Sequence, residues 1–121
     1  MGYWRQRVTL IADDAARPED GGAGGSVSLG KSHTNNSENT AALISPRVEV
    51  NKLYLLEFPE VSDASSYGVV KPDATDALME TLTEGTAIIN FIGHGSEHQW
   101  AQEKLLMQDR GDINRISTDM K

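Results

Sequence analysis

Apolar and polar positions follow two different periods along this chain. Val8-Thr-Leu-Ile-Ala12 is a short β-branched and apolar run closed by Asp13-Asp14, the pattern of a buried strand that ends at two carboxylates. Lys52 to Phe58 is a second, near-continuous apolar run stopped by Pro59, and it predicts a strand buried on both faces. Thr86 to Ile92 is the strongest of the three and leads directly into Gly93-His94-Gly95. Helical spacing separates these runs. Asn36 or Ser37 can cap a short helix through Glu38 and Ala41 to Ile44, with Pro46 ending it. Asp73 caps a second helix in which Ala74, Ala77, Leu78, Met79 and Leu82 share a face, and Gly85 is placed as its stop.

Strand, helix, strand, helix, strand predicts right-handed crossovers and an α/β fold, a parallel sheet with helices on both faces. About three strands make a small sheet with bare edges. The chain is therefore expected to be part of a larger domain, with the sheet edge covered by the rest of that domain or by a second copy. Residues 15–32, with Pro18 and a run of glycines, predict a long flexible loop. Ala101 to Met107 predicts a short helix or an irregular excursion, and Asp112-Ile113-Asn114 a further helical turn.

Composition narrows the chemistry. The 121 residues carry 11 Lys+Arg against 18 Asp+Glu, a formal charge of −7 that offers phosphate backbones no attraction, so nucleic acid is not an expected partner. The apolar runs fall far short of the roughly 20 residues that cross a bilayer, and no signal-peptide pattern opens the chain. Cysteine is absent, which removes disulfides, thiolate metal sites and any thiol nucleophile contributed by these residues.

Ligands of open parallel sheets bind beyond the carboxyl ends of the strands. Two such ends carry ionisable groups here: Asp13-Asp14 after the first strand and His94 after the third. An imidazole that titrates near neutrality is the usual proton shuttle, and a neighbouring carboxylate fixes its tautomer. Other patterns compete. Gly25-Ser-Val-Ser-Leu-Gly-Lys-Ser32 fits the phosphate-cradling G-x-x-x-x-G-K-[ST] spacing, the basis of an alternative reading as a noncatalytic nucleotide-binding module, although no strand leads directly into it. His94 and His98 stand four apart, but the glycines around them oppose a helical metal site. Asp13-Asp14 with Asp20 could hold calcium without matching an EF-hand. No cofactor is otherwise expected.

Thr86-Ala-Ile-Ile-Asn-Phe-Ile-Gly-His-Gly-Ser-Glu97, followed by Trp100-Ala101 and Glu103, resembles the histidine segment of the gingipain family of cysteine peptidases. Trp4-Arg5 through Asp14, Ser32-His33 with Glu38, Lys52-Leu-Tyr-Leu, Pro72 and Asp112-Ile-Asn114 fall in the family's order, so the likeness covers nearly the whole chain. It implies an incomplete caspase-like three-layer sandwich, residues 1–121 forming its histidine-bearing part. It implies His94 as catalytic acid and base, Gly95 N–H as part of an oxyanion hole, and Asp14, or alternatively Asp13, as the group that orients the imidazole. Glu97 and Trp100 would line the mouth for a protein or peptide substrate. The family's nucleophilic cysteine follows the next strand, which this sequence does not reach, so the chain alone is expected to be inactive. The parent would act at the cell surface or outside the cell, as family members that trim type IX sorting signals do. Gly30 stands about where a basic side chain would be received, which speaks against trypsin-like preference.

Overall fold

The computed structural model describes residues 2–14, 27–63, 68–101 and 103–116. Its elements in chain order are β1 (Arg7–Ala12), α1 (Val27–Leu43), β2 (Glu49–Tyr54), the short pair β3 (Val61–Asp63) and β4 (Gly68–Val70), α2 (Pro72–Glu84), β5 (Ile88–Ile92), and the hairpin β6 (Gln99–Trp100) and β7 (Leu106–Met107). The main sheet is three-stranded in the order β2-β1-β5, and both pairings are parallel. This is the predicted α/β architecture, compatible with an incomplete caspase-like sandwich.

The side-chain alternation of β1 explains the layers. Leu10 and Ala12 pack with Tyr54 against Ala41 and Ile44 at the end of α1. Ile11 points to the opposite face, where it joins Leu53, Leu55, Ala74, Leu78 and Met79 beneath α2. A strand with helices on both faces must be apolar on both, and from Leu10 to Ala12 β1 is at most 1% exposed. Thr9 is equally buried, and its hydroxyl is satisfied by Thr86 Oγ1 at 3.0 Å.

Several elements depart from the sequence reading. The second strand is Glu49–Tyr54 rather than 52–58. Its register is set from Arg7↔Glu49 to Ala12↔Tyr54, with the Arg7 guanidinium bonded to Glu49 and Glu84, and the chain then turns through a 3-10 segment at Leu55–Glu57. Among the described residues it pairs with β1 alone, and within it only Leu53 and Tyr54 are buried. The first helix begins at Val27, so residues 27–32 of the predicted loop are helical and Ser37 is a buried mid-helix residue rather than a cap. Residues 15–26 of that loop lie outside the described residues. The second helix has Lys71 at its N-cap and Pro72 at its first position, with Asp73 inside the first turn. Gly85 does end it, at φ 99°.

Ala101 to Met107 forms no helix. Ala101 and Lys104 take left-handed φ values of 61° and 55°, which turn the chain between β6 and β7. The third strand, Ile88–Ile92, is an edge strand, and Ile88 is 59% exposed. Among the described residues β5 pairs with β1 alone, so its outer edge is open, as a three-stranded sheet requires.

Candidate active site

The C-terminal rim of the sheet brings the first and third strands together. Asp13 continues the ladder beyond β1, donating its N–H to the Ile92 carbonyl at 3.0 Å. Its fully buried carboxylate then lies under the turn that follows β5. Asp13 Oδ2 accepts the backbone N–H of His94 at 2.9 Å and faces His94 Nδ1 at 3.3 Å. A proton on Nδ1 directed at that carboxylate leaves Nε2 as the free basic nitrogen. The His94 side chain is half-exposed at 52%, so the free edge of the ring reaches solvent.

Of the two carboxylates at the strand end, Asp13 contacts His94 and Asp14 does not. Asp14 Oδ2 instead binds the ammonium of Lys71, a residue only 3% exposed whose Nζ also donates to the Leu55 carbonyl at 2.6 Å. Successive residues of an extended chain point to opposite sides, so neighbouring aspartates at a strand end meet different partners. The sequence motif contains both residues and nothing that ranks them.

Gly93 makes the approach of Asp13 possible. A Cβ at this position would overlap Asp13 Cβ and come within 3.0 Å of both Asp13 Oδ2 and the Phe91 ring. Gly93→Ala is therefore expected to cost about 1–3 kcal/mol through overpacking. The cost would appear as a lower thermal midpoint and as displacement of Asp13 from His94. An unchanged midpoint would mean that the strand end yields without cost.

Gly95 pairs with Trp100 in an isolated antiparallel bridge. The flanking bonds run from Ser96 N–H to the Gln99 carbonyl at 2.9 Å and from Ala101 N–H to the His94 carbonyl at 2.8 Å. Gly95 is thus a non-hydrogen-bonded position of the ladder, and its N–H points away from Trp100, where it can meet a developing oxyanion. Trp100 stacks on Phe91 at 5.0 Å with 12° between the rings, which ties the hairpin to β5. Glu97 and Trp100 line a cleft of about 550 Å³ with Ser96, Leu106 and Asn114 beside the His94 turn, and His94 is not among its walls.

A second imidazole lies at this rim. His33 of α1 meets His94 edge to face, with ring centroids 5.2 Å apart. Nothing in the spacing of the sequence pairs residues so far apart. Glu103, which entered the sequence reading only as part of a resemblance, is 7% exposed and gathers with Asp13 and Asp14 so that their carboxylate oxygens lie within 4.8 Å of one another. Burial pushes the Glu103 carboxyl up to about 7 against a hydrogen bond from its own backbone N–H; the charges of Asp14 and Asp13 reinforce the shift and Lys71 opposes it.

The hairpin that carries Glu103 is anchored from below. Asp112 is fully buried, accepts Met107 N–H at 2.8 Å and is gripped by Arg110, whose guanidinium also donates to the Lys104 carbonyl. Burial alone would raise the Asp112 carboxyl, but Arg110 and Met107 N–H hold it below its ordinary value. Thr75 of α2 donates to the Leu105 carbonyl at 2.8 Å and completes the attachment.

The other candidate chemistries fare differently. His98 faces Gln108 at 3.4 Å while His94 faces Asp13, so the two imidazoles are not presented to one ion. Asp20, the third member of the calcium reading, lies outside the described residues, and Asp14 is paired with the Lys71 ammonium. In the stretch 25–32, Val27 to Ser32 belong to α1, so their backbone follows a helix rather than a phosphate-cradling loop. No described helix is long and apolar enough to cross a membrane. A sequence model of peptidase family C25 matches residues 1–119. No curated protein and no solved structure matches the chain.

Proposed function

Because the chain belongs to peptidase family C25, the gingipain family of cysteine peptidases, we propose that it carries the histidine half of the catalytic pair and that His94 is that histidine. The observation that supports this best is one buried carboxylate, Asp13, bonded to both the backbone and the ring of His94 at the carboxyl rim of a parallel sheet. The role that the resemblance gives to Asp14 passes to Asp13. Since the 121 residues contain no cysteine, the nucleophile comes from outside them, and this chain alone does not cleave peptides.

The chemistry follows from the atoms on the rim. His94 Nε2 takes the proton of an incoming thiol, and Asp13 stabilises the resulting imidazolium. The thiolate adds to the scissile carbonyl, and the oxygen that gains charge accepts a hydrogen bond from Gly95 N–H. The C–N bond then breaks, and His94 returns its proton to the departing amine. Water activated by the same imidazole hydrolyses the thioester and restores the thiol. Glu97 and Trp100 border the path of the peptide. Within the family we place the protein nearest the type IX secretion sortase PorU, which implies a protein substrate bearing a C-terminal sorting signal and a location at the cell surface.

Alkylation of thiols in the intact protein tests the reading. Peptide cleavage is expected to disappear on alkylation, and the 121-residue chain is expected to show none. Cleavage that survives complete alkylation would remove the cysteine mechanism.

A further inference from the structure

We propose that Glu103 and Asp14 share one proton, forming a carboxyl–carboxylate clasp that positions the hairpin after His94 against the strand end that carries Asp13. The argument begins with unpartnered atoms. Among the described residues four buried side-chain oxygens have no hydrogen-bond partner, and two of them, Asp14 Oδ1 and Glu103 Oε2, belong to the same carboxylate cluster. Buried polar atoms without partners are rare because each bears its full desolvation cost. Neither oxygen can satisfy the other while both groups are ionised, since two carboxylates only accept. One added proton changes that: a neutral Glu103 donates and Asp14 Oδ1 accepts.

Charge balance leads to the same place. Asp13 and Asp14 arrive from the end of β1, Glu103 from the β6–β7 hairpin, Lys71 from the start of α2 and His94 from the turn after β5. Lys71 is already committed to Asp14 and the Leu55 carbonyl. Among the described residues three carboxylates gather about one ammonium in this buried site, and a bound proton removes one negative charge. The upward shift of the Glu103 carboxyl agrees with that arrangement.

The clasp joins two parts of the rim that must keep their spacing. Its strand side carries Asp13, and its hairpin side continues from His94 through the Gly95–Trp100 bridge. Glu103 is buried and acts through Asp14 and the hairpin, so it is a positioning residue. Its catalytic consequence rests on the peptidase reading, while the shared proton does not. A carboxyl that is easier to protonate in the folded state than in the unfolded one makes folding less favourable as pH rises between the two values, from about 4.5 to about 7.

Glu103→Gln supplies a neutral donor at every pH. In the intact protein its thermal midpoint is expected to match that of the wild type near pH 4, to rise above it progressively between about pH 4.5 and 7, and to keep that advantage at pH 8. Its kcat/KM profile is expected to keep the inflection due to His94 and to lose any further decline that the wild type shows as Glu103 ionises near pH 7. Infrared spectra of the wild type should contain the C=O stretch of a buried protonated carboxyl at pH 6 and lose it at pH 8.5. Parallel stability curves for the two proteins, or a wild type without that band at pH 6, would overturn the clasp. If Glu103→Gln does not fold, the infrared measurement on the wild type decides. An intact protein that has the band but cleaves no peptide leaves the clasp standing and rejects the peptidase reading.

Discussion

His94→Ala in the intact peptidase is expected to lower kcat/KM by about 10²–10⁴-fold, the range that a positioned acid–base group contributes. The protein should stay folded. The ring is half-exposed and its contacts with Asp13 and His33 are lost, but the backbone N–H to Asp13 survives the change and still serves that buried carboxylate. Substitutions at exposed positions usually shift stability by no more than about 0.5 kcal/mol. Peptide turnover and a melting curve measured on the same preparation separate the two effects. Retained turnover in a folded variant would take His94 out of the mechanism.

The second large effect distinguishes the two aspartates. Asp13→Asn keeps an oxygen that can accept the His94 N–H but removes the charge that stabilises the imidazolium. In the proposed mechanism its kcat is expected to fall by about 10²–10⁴-fold, as on neutralising the orienting carboxylate of a hydrolytic triad. Asp14→Asn strips the charged partner from a lysine that is 3% exposed. Breaking a buried pair from one side costs about 3–5 kcal/mol of stability, so its signature is a lower melting temperature with a much smaller change in kcat per folded molecule. Steady-state kinetics and denaturant melts of both variants would show the contrast. A catalytic collapse in Asp14→Asn with Asp13→Asn unaffected would return the orienting role to Asp14.

The fold was legible where local signals and packing agree. Val8 to Ala12 is apolar throughout because β1 is central and covered on both faces, so its period carries the answer. Gly85 ends α2 as its residue type suggests. Boundaries failed where tertiary register decided them. Lys52 to Phe58 is apolar past Tyr54, yet β2 can pair only as far as β1 extends, and Leu55 turns into the core from a 3-10 segment. Ala101 to Met107 has helical composition, but its backbone reverses at Ala101 and Lys104, a conformation those side chains do not announce.

The site divided in the same way. Strand ends and flanking glycines pointed to His94 and the aspartate pair, and the structure brings His94 and Asp13 together at the rim of the parallel sheet. The choice of Asp13 over Asp14 depends on which way one residue points beyond β1. The contact with His33 and the burial of Glu103 depend on how α1 and the hairpin close over the rim. These are relations between distant segments, and no local pattern encodes them.

The two bonds to Asp13 Oδ2 differ in length: the main-chain amide of His94 sits at 2.9 Å and the ring nitrogen at 3.3 Å. The backbone is thus pinned more closely than the side chain it carries. In the proposed peptidase a proton taken from sulfur is handed to nitrogen at a different point in space, and a ring on so fixed a pivot is suited to swivel and deliver it. Under that reading the unit that must move shrinks to a single imidazole, with the main chain of the turn held by Asp13.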